Sequence, residues 1–382
     1  MSRSILAIAP LVLFMSGCVP DVDIIRNTTM SGHLKVKTFH VAPNVTVSAP
    51  GDLVVESLGR VSIEGRVRGE IGSGANIEIR VSSGDLAVDG ALEAGSGADG
   101  EAPGEDGEPG GSVRLRADRG AIVARGALAA GAGGDGAGRR EQGRGDLRVV
   151  SGAGGRGGDV VIAGASVVLD SGVAAGDGGE GGSATARIMS FAAGAPIVDC
   201  GLDAADPRKI ADDEQLPAEG SADASSAAGG NGGSVQIAAA ALQSPREALR
   251  AGSGGAVSRA VARGGVAASA SLAKPGAGGD VSLRVAGLTS AASAWNLVPG
   301  DGGDAGRPGE ITAHASAHAA ASAATLGGGE AGKVLLGAAA SGTGAGGDGG
   351  GVLAQTDKGA KYALGGEAHG AAPGKPAAAR AP

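Results

Sequence analysis

Apolar and charged residues alternate with a period of two through residues 45–88. Five short runs carry the apolar positions: Val45 and Val47, Leu53 and Val55, Val61 and Ile63, Ile77 and Ile79, and Leu86 and Val88. Successive side chains of a strand point to opposite faces, so this pattern predicts strands with one buried face and one wet face. Glycines stand between the runs, where they predict sharp turns.

A wider spacing extends the strand prediction along the chain. Short apolar runs after glycine-rich segments begin at Val113, Val160, Val235, Val281 and Val334. The intervals between these valines are 47, 75, 46 and 53 residues, which we interpret as two or three times a unit of about 24 residues. One coil of a β-solenoid, with three short strands and three turns, needs a unit of that size.

The predicted fold is therefore all-β, a single-stranded parallel β-helix or solenoid over residues 41–366 with glycine-rich turns and inserted loops. A Greek-key β-sandwich would show the same alternation and is an alternative. A largely disordered Gly/Ala-rich chain is a second alternative, above all after residue 236, where alanine offers little burial. Aromatic residues make up only 1% of the chain, so any core must be narrow and lined by small side chains.

Glycine accounts for 76 of the 382 residues. The pattern GGxGG recurs at residues 154–158, 178–182, 229–233 and 346–350, and we interpret each copy as a turn. Residues 196–230 are acidic and poor in strand signals, and they predict an inserted loop; residues 94–111 and 131–147 predict further contact loops. Ser244 and Pro245 predict a short helix that ends at Gly252, and residues 367–382 predict a disordered tail.

The first 17 residues have the pattern of a bacterial signal peptide. Arg3 precedes an apolar run at residues 5–14, which is too short to cross a bilayer as a mature helix. Residues 15–18, Met-Ser-Gly-Cys, resemble a lipobox, so Cys18 is the predicted lipidation site and residues 18–40 the linker or cap that follows. An ordinary signal peptide that leaves Cys18 as a free thiol is the alternative.

Asp159 is the one candidate metal ligand. Residues 154–162 fit the nonapeptide of repeat-in-toxin β-rolls, in which the aspartate and turn carbonyls bind calcium. Ser234 replaces this aspartate in the next-best copy, so a structural turn is the preferred interpretation. Calcium is accordingly the only candidate cofactor, and a calcium-dependent β-roll is an alternative function.

Catalytic patterns are scarce. No GxSxG or Walker motif occurs in the mature region, and no catalytic residue is predicted. A carbohydrate-active β-helix lyase or hydrolase remains an alternative, which three or more carboxylates on one face of adjacent coils would favour. The formal net charge of −8 becomes one unit more negative when Arg3 leaves with the signal, and this disfavours nucleic acid as a partner.

Together, the GGxGG copies, the alternating strands and the lipobox resemble those of glycine-rich bacterial surface lipoproteins with a parallel β-helix, the architecture of filamentous-haemagglutinin-like adhesins. The resemblance implies a non-enzymatic, structural or adhesive protein of the cell envelope. Its implied partners are the membrane, through the lipid on Cys18, and surface polysaccharide or other envelope proteins. Val19, where inner-membrane retention typically uses Asp, implies the outer membrane.

Overall fold

The computed structural model describes residues 19–188, 221–243, 248–264, 267–288, 297–302, 311–315, 320–324, 334–337 and 352–354. All regular secondary structure within these ranges is β-strand, so the all-β prediction is confirmed. Cys18, the signal peptide, residues 196–220 of the predicted insertion and the tail lie outside the described residues.

Twenty-nine strands lie within the described residues, and the first eleven are short. These eleven are β1 (Asp21–Ile24), β2 (Thr28–Thr29), β3 (Gly32–Val36), β4 (Thr38–Val41), β5 (Thr46–Ala49), β6 (Leu53–Ser57), β7 (Val61–Ile63), β8 (Arg66–Gly69), β9 (Ile77–Val81), β10 (Leu86–Val88) and β11 (Ala91–Glu93). The next nine are β12 (Val113–Ala124), β13 (Leu128–Ala129), β14 (Arg139–Gly143), β15 (Leu147–Val150), β16 (Val160–Leu169), β17 (Val173–Ala174), β18 (Ala184–Ile188), β19 (Ser221–Ser225) and β20 (Val235–Gln243). The last nine are β21 (Leu249–Arg250), β22 (Ala260–Gly264), β23 (Ala267–Ser271), β24 (Val281–Leu288), β25 (Leu297–Val298), β26 (Ile311–Ala315), β27 (Ala320–Ala324), β28 (Val334–Gly337) and β29 (Val352–Ala354).

The strands form four sheets. Sheet 1 has 13 strands and contains β1, β4, β7 and β10 as well as β3, β6 and β9, all of which lead into the long strands β12, β16, β20 and β24. Sheet 2 has the order β2-β5-β8-β11-β13-β17-β21-β25, sheet 3 the order β14-β18-β22-β26, and sheet 4 the order β15-β19-β23-β27. Every strand pair within the described residues is parallel. A Greek-key sandwich requires antiparallel neighbours, so that alternative is wrong.

The five valines that begin the later apolar runs are direct register partners in sheet 1. Val113 pairs with Val160, Val160 with Val235, Val235 with Val281, and Val281 with Val334. Each interval between them is therefore a single step across the sheet, and the interpretation as multiples of a 24-residue unit is wrong. Only the early steps have that length, such as Leu53 to Ile77.

The passes of the chain lengthen because new segments are added to each one. Early passes run directly from sheet 1 to sheet 2 and back, as β4, β5 and β6 do. After β11, a pair of glycine-rich segments extends each pass, and from β14 onward the strands of sheets 3 and 4 lie between those two segments. The chain thus acquires a second, distal pair of sheets that the first passes lack.

Two hydrophobic cores match the two pairs of sheets. The larger core lies in sheets 1 and 2 and consists mainly of valine, isoleucine and leucine, with Phe39 as its one aromatic side chain among the described residues. Burial of each such side chain contributes roughly 1.5–3 kcal/mol. The smaller core lies in sheets 3 and 4 and is mostly alanine, which includes Ala184, Ala186 and Ala224. The low aromatic content is consistent with these narrow cores.

Three segments differ from their predictions. The segment 18–40 supplies β1, β2, β3 and the first three residues of β4, so the sheets already begin at Asp21. The predicted helix ending at Gly252 is wrong at its C-terminal end, because Leu249–Arg250 forms β21 in sheet 2 and pairs with β17. The described residues after 236 include strands such as β22 and β24, so disorder does not extend through those residues.

Candidate functional site

The glycine-rich segments form a two-layered backbone assembly between the two pairs of sheets, which we call the glycine web. Outgoing segments leave sheet 2 at residues 94–100, 130–138, 175–183 and 251–257, and return segments lead back to sheet 1 at residues 105–111, 151–159, 227–234 and 273–280. These residues lie almost entirely outside regular strands, yet their backbone groups are paired with one another.

Hydrogen bonds in the web repeat every three residues. The amides of Gly131, Gly134 and Ala137 donate to the carbonyl oxygens of Gly111, Glu108 and Glu105, each over 2.8 Å. In the same segment, Gly133 donates to Asp177 over 2.9 Å and Gly136 to Glu180 over 2.8 Å, both in the next outgoing segment. Three residues per turn is the period of the polyproline II helix, whose backbone groups make no internal hydrogen bonds. The web therefore satisfies these groups between segments instead of within them.

Glycine fills most inward positions of the web because backbone occupies the space around them. A Cβ on Gly133 would lie 2.0 Å from the carbonyl oxygen of Gly155 in the opposite layer, and one on Gly134 would lie 1.9 Å from that of Ala98 in the preceding pass. The outward position, one in three, carries a side chain, as at Asp135. The GGxGG copies within the described residues are thus web segments, and their interpretation as turns is wrong.

Segments predicted as contact loops belong largely to this web. Residues 94–111 and 131–138 are hydrogen-bonded through their backbones, and Arg139–Gly143 forms β14. The predicted insertion 196–230 ends earlier than expected, since Ser221–Ser225 forms β19 and the residues after it join the web. The glycine content of the sequence does not distinguish the web from turns; only the period of three signals it.

Aspartates at outward positions of the web accept a hydrogen bond from the backbone amide of the residue at the equivalent position in the next pass. Asp99 Oδ1 accepts from the Asp135 amide over 2.8 Å, and Asp135 Oδ1 accepts from the Glu180 amide over 2.7 Å. Asp146, just before β15, accepts both the hydroxyl and the amide of Ser221, and these hydrogen bonds lower the pKa of Asp146. Carboxylates thus link successive passes along the outer surface.

Asp159 belongs to the same series. Its Oδ1 accepts from the Ser234 amide over 2.7 Å, and both of its carboxylate oxygens lie 2.8 Å from Nη2 of Arg156. In the described part of the chain, no three His, Cys, Asp or Glu side chains come together in a group that could hold a metal ion. The contacts of Asp159 therefore support a structural role, in which it links one pass to the next.

Replacement of Asp159 by alanine is expected to lower the free energy of unfolding by about 1 kcal/mol, since the Ser234 amide loses its partner. Millimolar calcium should leave the melting temperature of the wild-type protein unchanged, as measured by circular dichroism with chelator as reference. Asp177→Ala is the matched control, because Asp177 makes the same contact with the Ser253 amide. A calcium-dependent rise that Asp159→Ala alone abolishes would instead support a calcium site.

The outer face of sheet 1 carries a cavity of about 260 Å³, which we call the charged groove. It is lined by Lys35, Glu56, Ser57, Leu58, Arg80, Ser82, Arg116 and Asp118. Lys35, Glu56, Arg80 and Arg116 are register partners on β3, β6, β9 and β12. Strand pairing therefore places four charged residues in one column, although neighbours in the column are 21 to 36 residues apart in the sequence.

Ion pairs fix the middle of the charged groove. Nη1 of Arg80 lies 3.2 Å from Oε1 of Glu56, and Nε of Arg80 donates to Oε1 of Glu78 over 2.6 Å. The hydrogen bond with Glu78 is the main cause that raises the pKa of Arg80. Nε2 of His33 lies 3.2 Å from the second oxygen of Glu56, and Nε of Arg116 donates to Asp118 over 2.7 Å.

No local pattern in the sequence predicts the charged groove. The four positions of its column are ordinary polar members of alternating strands, and only their register brings them together. Comparison with known proteins gives no further guide, since no family model, curated protein or solved structure matches the chain. No helix of the described residues is long and apolar enough to cross a membrane.

Proposed function

We propose that the protein is an outer-membrane lipoprotein, anchored through Cys18, whose sheets wind as one single-stranded parallel β-solenoid with a structural or binding role and no catalysis. The strand order supports the solenoid, because each pass contributes strands to sheets 1 and 2 in turn and every neighbour is parallel. The register steps of sheet 1 support it further, since each connects one pass to the next.

The position of β1 supports an anchor at one end of the solenoid. β1 is the terminal strand of sheet 1, and only Val19 and Pro20 separate it from Cys18. Three residues of extended chain span at most about 10 Å. A lipid on Cys18 would therefore hold the first pass at the membrane surface, and the later passes would extend the rod away from it.

The connections between sheets 3 and 4 support a display role, and this is the observation that carries the proposal. In each pass they join the strands furthest along the chain from sheets 1 and 2, with residues 144–146 between β14 and β15 and residues 189–220 between β18 and β19. The sequence that joins β18 to β19 is the longest of these connections, and the strand ends that it joins lie furthest along the pass from sheets 1 and 2. A rigid scaffold that carries variable loops at one edge is the usual arrangement for binding.

Substitution of Cys18 by serine is expected to move the protein from the membrane fraction to the soluble fraction, because the lipid chains provide the anchor. The measurement combines cell fractionation with metabolic labelling by a fatty-acid analogue. Cys200→Ser is the matched control, which should stay labelled and membrane-bound. Membrane retention of the Cys18→Ser protein, or an unlabelled wild-type protein, would contradict the anchor.

A carbohydrate-active β-solenoid enzyme is the second candidate. It is favoured by Glu56, Glu78 and Asp118, three carboxylates on the outer face of adjacent strands of sheet 1. Each of them is bonded to a guanidinium, Arg80 for the two glutamates and Arg116 for Asp118, so a substrate would have to break an ion pair to reach it. Release of reducing ends or unsaturated products from polysaccharides is the assay that would support this candidate against the non-catalytic role.

A further inference from the structure

The charged groove has a basic side chain at each end of its column, Lys35 and Arg116. The third basic residue, Arg80, lies between them and is paired with the carboxylates of Glu56 and Glu78. Lys35 makes no ion pair with any other described residue, and Arg116 uses only Nε in its bond with Asp118. Each end of the groove thus has cationic N–H groups that can donate to a ligand. In the middle, the charge of Arg80 is balanced by neighbouring carboxylates.

The length of the column sets the size of that ligand. Neighbouring strands of a sheet lie about 4.8 Å apart, so Lys35 and Arg116, three steps apart on β3 and β12, are separated by roughly 14 Å. Between them lie Glu56 and Arg80, which hold each other in place. Leu58, 44% exposed, adds an apolar surface to the groove. The groove therefore suits an extended ligand with polar groups along its length and negative charge near its ends.

We propose that the charged groove binds an acidic oligosaccharide, a segment of a polysaccharide that contains uronic acids. Sugar hydroxyls both donate and accept hydrogen bonds, so they match a fixed carboxylate beside a fixed guanidinium, as Glu56 and Arg80 present. Sugar carboxylates match Lys35 and Arg116, and C–H faces of the rings match Leu58. A nucleic acid, with one phosphate for every nucleotide, meets repulsion from Glu56, Glu78 and Asp118.

This inference deepens the proposed function and rests on its binding role, since it names the chemical class of partner. It does not depend on lipidation. The charged groove lies on β3, β6, β9 and β12, in the first passes, whereas the insertion 189–220 lies between later strands. Polysaccharide bound in the groove would therefore contact the rod near its anchored end, and the distal edge would stay available for other partners.

The test is isothermal titration of the full mature chain, with Cys18→Ser to keep it soluble, against a tetrasaccharide in which uronic acids alternate with neutral sugars, as in hyaluronan. Lys35→Gln and Arg116→Gln are each expected to weaken binding about tenfold, the usual scale for a lost charge-assisted hydrogen bond. Lys37→Gln and Arg125→Gln are matched controls outside the groove and should bind like the parent chain. Higher ionic strength should also weaken binding, because the groove is exposed to solvent.

Three results would overturn the proposal: no binding by a chain that retains its β spectrum, an equal loss in the Lys37→Gln and Arg125→Gln controls, or binding of poly-glutamate as tight as that of the uronate. The last result would assign the groove to acidic peptides. A neutral oligosaccharide of the same length should bind much more weakly. Since the titration uses an unlipidated chain, its failure is distinct from failure of the anchor, which fractionation measures.

Discussion

Replacement of Gly155 by alanine is expected to destabilise the protein by at least about 3 kcal/mol, a loss typical of severe overpacking. The new Cβ would lie 2.0 Å from the carbonyl oxygen of Glu108, a backbone atom that no side-chain rotation can remove. Relief requires the return segment of Gly155 to move away from that of Glu108 in the preceding pass. This movement would strain the hydrogen bonds that Gly155 makes with Gly134 and Gly179 of the outgoing layer, 2.7 and 2.8 Å long. Urea unfolding followed by circular dichroism measures the effect.

Two control variants distinguish the loss of stability caused by crowding in the web from the general effect of substituting a residue in this fold. Gly51→Ala should change the free energy of unfolding by no more than about 0.5 kcal/mol, because no atom lies within 4 Å of the added Cβ. Glu108→Ala should also be mild, since Glu108 stands in the first return segment and already carries a side chain. If Gly155→Ala were as stable as Gly51→Ala, the close contact between the return segments of successive passes would be refuted.

Substitution of Ile122 by aspartate is expected to prevent folding or to cost more than about 4 kcal/mol. Ile122 is 0% exposed in the centre of sheet 1 and pairs with Leu86 on one side and Val167 on the other, both also fully buried. A carboxylate there loses its hydration and gains no partner. Thermal unfolding and yield of soluble protein measure the effect.

Val123→Asp is the matched control for Ile122→Asp, since Val123 is the next residue of β12 and is only partly buried. Alternate residues of a strand face opposite sides, so this aspartate should reach solvent and cost about 1 kcal/mol or less. Equal damage by both aspartates would show that the face assigned to β12 is incorrect.

The strands of the first passes could be predicted from sequence because their signal is local. The alternation at Leu53 and Val55 and at Ile77 and Ile79 identified β6 and β9 and their buried faces, which the structure confirms. Register is not local in the same way. Val113 and Val160 were recognised as equivalent, but their interval was divided into smaller units because nothing in the sequence reveals how long a pass is.

Prediction of the glycine web requires recognition of a period of three, whereas strands are recognised by a period of two. A glycine inside an irregular segment normally indicates positive φ or a turn, whereas in the web it indicates the absence of space for a Cβ. Glu105 and Glu108 are exceptions to the glycine pattern, and they lie in the first return segment. Gly152 and Gly155 fill the equivalent positions one pass later. There, added Cβ atoms would lie 1.7 and 2.0 Å from the carbonyl oxygens of the two glutamates. The charged groove could not be predicted either, because strand register cannot be read from the local sequence. Its column exists only when β3, β6, β9 and β12 are aligned.

Amide hydrogen exchange in the glycine segments tests the central claim most directly. The amides of Gly131, Gly155 and Gly176 donate to backbone carbonyls over 2.7–2.9 Å and should be protected to a degree comparable with Leu115 in β12. Gly145, whose φ is +78° and whose added Cβ would meet no atom within 4 Å, is the exposed reference within the same chain. Slow exchange at the three web glycines is the predicted result; exchange as fast as that of Gly145 would mean that these segments are flexible turns and that the two-layered web does not exist.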